Sequence, residues 1–98
     1  MKVHWTETAL AHLQSIHDYI AKDAPLNAKA VTREIVQRAS TLPATPRVGR
    51  AVPELNDPNL REVPVHSWRV IYQLRGEDLF IVTLVHRRRA PSPEQLRG

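Results

Sequence analysis

The run LFIVTLV at residues 79–85 is apolar at every position except Thr83, and it limits the folds that are open to this chain. Such a run, rich in β-branched residues, is typical of a strand in the centre of a sheet that is covered on both faces. Residues 68–74 are similarly rich in β-branched and aromatic residues, and residues 75–78 (RGED) separate the two segments. Since Gly76 can take the positive φ that a tight turn requires, the sequence predicts a β-hairpin here.

Two amphipathic helices are predicted in the first half of the chain. Apolar residues recur at spacings of three and four within residues 7–22, and a similar stripe runs through residues 25–42. Thr6 is placed as the N-cap of the first helix, and Pro43 ends the second. Because the break between them is short, the helices are expected to form a hairpin. The two stripes consist of Ala9, Leu13, Ile16 and Ile20, and of Ala28, Val31, Ile35 and Leu42.

The remaining segments complete an α+β pattern. Residues 1–5 alternate between apolar and polar, which predicts a short strand, and residues 60–65 predict another, at an edge or bulge because of Pro64. Residues 43–59 contain four prolines and predict a long connection with a short strand within residues 48–52. The resulting order, β-α-α-β-β-β, predicts an N-terminal helical hairpin packed on a mainly antiparallel sheet, in a single domain of residues 1–98.

Composition excludes several classes of function. The absence of cysteine excludes disulfides, thiolate metal sites and a cysteine nucleophile. No apolar run approaches the roughly 18 residues of a membrane span, and no signal peptide is recognisable, so a cytoplasmic location is expected. Motifs of nucleotide-binding loops, zinc proteases and serine hydrolases are absent, and the histidine spacing predicts no metal site. No cofactor is expected.

Positive charge is concentrated as arginine in the second half of the chain. The formal net charge is +4, and the segment from Arg47 onward contains nine arginines, no lysine and six acidic residues. Arginine favours bidentate contacts with phosphate or carboxylate. Both a solvated basic surface and a surface for an acidic partner fit this composition.

Arg69 lies within a predicted strand, between apolar neighbours. An arginine in the middle of a sheet requires a partner or a cleft, because burying an unpaired charge is costly. Two interpretations remain open from the residues alone. Arg69 forms a structural ion pair, with Glu62 or Asp78 as candidates, or it contacts phosphate or carboxylate on the open face of the sheet.

A block of positive charge follows the last strand. Successive strand residues point to opposite faces, so Arg87 and Arg89 share one side, and His86 and Arg88 the other. The block is either a charged strand end or a binding patch. His86 is a candidate base, or it orients its neighbours by hydrogen bonding.

Four short segments resemble the RelE/ParE toxin superfamily, most closely the ParE (plasmid stabilisation) branch. Their order and spacing carry the resemblance, which extends over about residues 3 to 89. The segments are GRAVPEL at residues 49–55, LREV at 60–63, WRVIY at 68–72 and VHRRR at 85–89. The resemblance implies a β-α-α-β-β-β toxin of a type II system, neutralised by a ParD-like antitoxin in a hetero-oligomer.

The superfamily has two main activities, since RelE-type members cleave mRNA on the ribosome and ParE-type members poison DNA gyrase. Arg69 matches an arginine of the RelE type, and Arg88, or its neighbour Arg87, matches the RelE arginine after the last strand. Residues 60–62 (LRE) instead place a carboxylate where RelE has a cation. The RelE tyrosine has no counterpart in residues 91–98, where Glu94 falls near its place. These departures favour the gyrase-inhibiting branch, in which the toxin itself need not be an enzyme.

The resemblance also implies roles for particular residues. Gyrase inhibition is the expected function, with a ribosome-dependent mRNA endonuclease and an inactive module that only binds its antitoxin as alternatives. An endonuclease would use Arg69, His86 and Arg88 as its catalytic set. The expected target-binding residues are Arg69, His86, Arg87, Arg88 and Arg89. The expected antitoxin-binding residues, on the helical hairpin, are Leu13, Ile16, Ile20, Val31 and Ile35.

Overall fold

The structure is a computed structural model that describes residues 1–91 and residue 96. The predicted α+β fold, with its order of helices and main strands, is confirmed. In chain order, the elements of this part of the chain are β1 (Lys2–Trp5), α1 (Glu7–Ala21), α2 (Pro25–Thr41), a short 3-10 helix (Leu42–Ala44), β2 (Arg50–Ala51), β3 (Leu60–Val65), β4 (Trp68–Arg75) and β5 (Asp78–His86).

Thr6 both begins α1 and fixes the helix to the sheet. Its hydroxyl accepts a hydrogen bond from the Ala9 amide at 3.1 Å, as expected of an N-cap. The same hydroxyl lies 3.0 Å from the carbonyl oxygen of Ile81 and 2.9 Å from that of Val82, both in β5. The first helix is therefore held at its N-terminus against β5, an interior strand of the sheet.

The sheet has the order β1-β5-β4-β3-β2. Neighbouring strands are antiparallel, with the exception of β1, which runs parallel to β5. The apolar run of residues 79–85 lies in β5, between β1 and β4. This is an interior, covered position next to the middle strand β4, and the composition of the run predicts such cover.

Both hairpin turns contain a residue with positive φ. Gly76, between β4 and β5, has a φ of 56°, at the position where type II′ turns place glycine. His66, between β3 and β4, has a φ of 54°, which is uncommon for a residue with a side chain. Its ring lies near Glu34 on α2, so a contact with the helix accompanies this backbone conformation.

The larger core lies between the helical hairpin and the sheet. Ile16, Val31 and Ile35 are buried in it, together with residues of β3, β4 and β5. A smaller apolar cluster lies on the opposite face of the sheet and includes Ile71 and Val82. The strands are therefore covered on both faces, and the helical stripes are used to build the fold.

Gly49 makes the closest approach between the connection after α2 and the sheet. Its amide donates to the hydroxyl of Tyr72 at 2.9 Å, and that hydroxyl donates to the carbonyl oxygen of Pro46 at 2.8 Å. A Cβ on residue 49 would lie 2.6 Å from the Tyr72 hydroxyl and 2.7 Å from the carbonyl oxygen of Glu62. Only glycine fits this position without movement of the strand.

The connection itself is only partly predicted. The α-helix α2 ends at Thr41, one residue before its predicted end, and Leu42 begins the 3-10 turn that contains Pro43. The predicted short strand is present but comprises only Arg50 and Ala51. Residues 52–59, called here the 52–59 loop, follow it and lead into β3.

Candidate functional site

Arg69 lies on the face of the sheet opposite the helices and is only 7% exposed. Its guanidinium forms a bidentate ion pair with Glu54, with Nη2–Oε1 and Nη1–Oε2 distances of 2.8 and 3.1 Å. Its Nε donates to Glu62, and its Nη1 also donates to the carbonyl oxygen of Arg89 at 2.8 Å. Every nitrogen of the guanidinium therefore already has an acceptor.

A second arginine completes this group of charges. Arg50 in β2 lies opposite Glu62 in β3, and its Nε donates to the Glu62 carboxylate at 2.8 Å. The Glu62 side chain is 4% exposed, whereas that of Arg50 is 71% exposed. Two arginines and two glutamates thus form a network of zero formal charge, called here the ion-pair network, with its solvent-facing side at Arg50.

The geometry shifts the pKa values of two members of the network. The hydrogen bond from Arg69 lowers the pKa of Glu54 below its ordinary value. In return, the hydrogen bond to Glu54 raises the pKa of Arg69, and Glu62 reinforces this shift. Both groups therefore remain charged at neutral pH, and the pair is fixed electrostatically as well as geometrically.

Of the two interpretations of Arg69, the structure contains the ion pair. Glu62 is one of the predicted partners, whereas the prediction of Asp78 is wrong, because that carboxylate lies 3.1 Å from His4 at the other end of β5. The sequence pattern does not indicate Glu54, the bidentate partner. In this arrangement an external phosphate that approached Arg69 would meet the carboxylate of Glu54, which is already paired with the guanidinium.

The charge block forms an exposed turn directly after β5. Residues 87–89, called here the basic turn, are exposed, and their backbone is held by the neighbouring hairpin. The Arg87 amide donates to the carbonyl oxygen of Ser67 at 2.8 Å, and the Arg89 amide to that of His86 at 2.9 Å. Within residues 1–91, no salt bridge involves the side chains of the basic turn.

His86 is half-buried at the end of β5 and supports the basic turn. Its ring meets that of Trp68 edge to face, with centroids 5.4 Å apart. Its Nδ1 accepts a hydrogen bond from the Arg88 amide at 3.3 Å. These are the contacts expected of a histidine that orients its neighbours, which is one of the two roles predicted for it.

A cleft of about 860 Å³ lies between α1 and the ends of β4 and β5. Its lining contains no acidic side chain among the described residues, and it combines apolar, aromatic and basic groups. His86 and Arg89 lie at this cleft, so two of the predicted target-binding residues border it. Its lining includes Tyr19, Ile20, Trp68, His86 and Arg89.

The five expected antitoxin-binding residues are not in one place. Ile16, Val31 and Ile35 are at most 7% exposed and pack in the core, so they present no surface to a partner. Ile20 lines the cleft described above, and Leu13 lines a shallow groove on the outer side of the helical hairpin. The first three are buried because the apolar stripe of each helix faces the sheet and packs against it.

The structure also bears on the alternative catalytic set. The guanidinium of Arg69 donates to the backbone carbonyl of Arg89 and is paired with the carboxylates of Glu54 and Glu62. Arg88 is exposed on the basic turn. Glu94 lies outside the described residues. No group of three histidine or carboxylate side chains that could hold a metal ion is found in the part of the chain that the structure describes.

Sequence reasoning missed Glu54 and Arg50 as members of the site. Both lie in the segment GRAVPEL, and each of the other three family-like segments also contributes a member. Glu62 comes from LREV, Arg69 from WRVIY and the Arg89 carbonyl from VHRRR. The available signal was therefore that every segment contains charged residues, since the four segments meet in space.

No helix in the described residues is long and apolar enough to cross a membrane. The sequence model of the family described as "ParE toxin of type II toxin-antitoxin system, parDE" matches residues 3–91. No protein with a curated description matches the chain in sequence.

A solved structure described as "Chromosomal ParDE TA system from P. aeruginosa" is similar in fold, with a TM-score of 0.75 and 21% sequence identity. The alignment covers 88% of this chain and 95% of the other. The fold, the order of the four segments and the match over residues 3–91 agree with one another. The chain therefore belongs to the ParE toxin family of type II toxin–antitoxin systems.

Proposed function

We propose that this protein inhibits DNA gyrase by direct contact through its basic turn, and that a cognate, ParD-like antitoxin neutralises it by covering that turn. The observation that supports this most strongly is the division of charge at the site. The basic turn carries exposed arginines, whereas Arg69 is enclosed in a neutral network. The exposed charge suits recognition of an acidic protein surface.

The same division argues against the endonuclease alternative. RNA cleavage requires cations that stabilise the developing negative charge on the phosphorane, together with a general acid and base. Here Arg69 donates to Glu54 and Glu62, and these carboxylates would repel a phosphate in the same place. Binding to a protein target requires no such free cation at this position.

The antitoxin is proposed to occupy the cleft beside the basic turn. Ile20, Tyr19 and Trp68 offer apolar and aromatic surface, and Arg89 lies at the cleft with a positive charge. An antitoxin segment that combines apolar and acidic side chains fits this lining. Because Arg89 belongs to both surfaces, an antitoxin bound here would block access of gyrase to the turn.

The test is a gyrase assay of supercoiling and DNA cleavage with the purified protein. The variant Arg87→Gln, Arg88→Gln, Arg89→Gln removes the charge of the turn. A matched control, Lys22→Gln, Lys29→Gln, Arg33→Gln, removes three exposed positive charges from the helical hairpin. Wild type and control are expected to inhibit supercoiling, the turn variant to lose inhibition, and a cognate antitoxin to relieve it.

Three results would contradict the proposal. If the wild-type protein leaves gyrase unaffected but cleaves ribosome-bound mRNA, the endonuclease alternative replaces it. If it affects neither target and cells expressing it alone grow normally, the chain is an inactive module that only binds its antitoxin. Equal inhibition by the turn variant and the wild type would show that gyrase is contacted elsewhere on the molecule.

A further inference from the structure

We propose that Arg69 is a positioning residue, whose guanidinium joins the 52–59 loop to the basic turn and so fixes the direction of the turn. This proposal rests on the proposed function only where it takes the basic turn to be the surface that contacts gyrase. The positioning itself can be measured in the free protein. It reassigns Arg69 from the target-binding set to the support of that set.

The contacts of Arg69 reach three separate segments of the chain. Glu54 belongs to the 52–59 loop, Glu62 to β3, and the Arg89 carbonyl to the basic turn. The strand β3 is already held to β4 by the antiparallel ladder. The loop and the turn lie outside that ladder, so the guanidinium adds to them a restraint that the sheet does not provide.

Arginine is suited to this position because its nitrogens form a rigid planar fork. Nη1 alone donates to two acceptors, Glu54 and the carbonyl of Arg89, while Nε serves Glu62. Lysine offers a single nitrogen and cannot reproduce the bidentate pair together with the other two contacts. Replacement by lysine therefore keeps the charge but removes the simultaneous connection of the three segments.

The residues that position the turn differ in charge from the residues that would attract a partner. Arg50, Glu54, Glu62 and Arg69 sum to zero formal charge, so they contribute little net field at the surface. The positive potential at this end of the sheet therefore originates mainly in the basic turn. A partner would be attracted by the turn, while the buried charges only determine where the turn is held.

The test measures the rates of amide hydrogen exchange at Arg87 and Arg89 in the free protein, with NMR as the readout. Arg69→Lys is the main variant. A second variant combines Arg69→Gln with Glu62→Gln. It leaves no unpaired charge in the interior, because the two groups that lose their partners, Arg50 and Glu54, are partly exposed. Arg50→Gln is the matched control, since it removes an ion pair to Glu62 without touching the turn.

Both Arg69 variants are expected to accelerate exchange at Arg87 and Arg89 about tenfold or more, since loss of one charge-assisted hydrogen bond corresponds to such a factor. Exchange in α1 should be unchanged, and Arg50→Gln should resemble the wild type. Unchanged exchange at the turn in a folded Arg69 variant would overturn the proposal.

Gyrase inhibition distinguishes this proposal from the proposed function. If the wild type inhibits gyrase, the Arg69 variants should lose inhibition in parallel with the loosening of the turn. Loss of inhibition with unchanged exchange would mean that Arg69 itself touches the target, which overturns the positioning role. If the wild type does not inhibit gyrase, the proposed function fails, while the exchange measurement still decides the role of Arg69.

Discussion

Replacing Gly49 with alanine should destabilise the protein through a steric conflict with β3 and β4. The added Cβ would lie 2.6 Å from the Tyr72 hydroxyl and 2.7 Å from the Glu62 carbonyl oxygen. Tyr72 is fully buried and its hydroxyl is fixed by Pro46, so it has little freedom to withdraw. The Glu62 carbonyl is part of the β3 backbone, so relief there requires movement of the strand.

The size of the effect follows from three contributions. Overpacking of a buried site costs about 2 kcal/mol, and the strained hydrogen bond between the Gly49 amide and Tyr72 adds about 1 kcal/mol. Alanine also restricts the unfolded chain, which offsets about 0.7 kcal/mol. The free energy of unfolding should therefore fall by about 2 kcal/mol, which lowers the melting temperature of a chain this size by about 10 °C.

Urea denaturation is the appropriate measurement. The slope of the free energy of unfolding against urea concentration should be the same in the variant and the wild type. Gly76→Ala is the control, because its Cβ would meet nothing within 4 Å and the positive φ alone should cost about 1 kcal/mol. Adding Tyr72→Phe should make Gly49→Ala less costly, since it removes the nearest clashing atom. An alanine variant as stable as the wild type would refute the steric argument.

Three further predictions concern stability and are measured by denaturation. Thr6→Val should cost about 1 kcal/mol, because the N-cap of α1 is lost. The pKa of Glu54 is lowered from 4.5, so the stability that its carboxylate contributes is present above pH 4.5 and is lost as the pH falls through the lowered pKa. In Glu54→Gln the free energy of unfolding should therefore depend less on pH in this acidic range. Burial raises the pKa of Tyr72 from 10.0, so its contribution is present below pH 10.0 and is lost as the pH rises through the raised value; Tyr72→Phe should remove that loss.

Periodicity predicts most of the fold because burial imposes it. The apolar run of residues 79–85 locates an interior strand, and the helical stripes locate α1 and α2 to within one residue at their ends. Thr6 is correctly placed as a cap because its preference is local. These features depend on neighbours within a few positions, so a single sequence reveals them.

The site is less predictable because its partners are distant in the chain and lie in aperiodic segments. Glu54 pairs with Arg69 from a proline-containing loop, so no repeat pattern indicated which way its side chain points. Ile16, Val31 and Ile35 were correctly placed on the apolar faces of the helices. Amphipathicity does not reveal whether such a face meets the protein's own sheet or another chain, and here it meets the sheet.

The parallel pairing of β1 with β5 has a consequence for folding during synthesis. Thr6 bonds to Val82, which lies 76 positions later in the chain, so the sheet cannot close until β5 has left the ribosome. The helical hairpin has local contacts and can form early, yet its apolar face then has no sheet to cover it. Until β5 emerges, the nascent chain is therefore prone to aggregation and accessible to chaperones, and a folded toxin arises only late in translation.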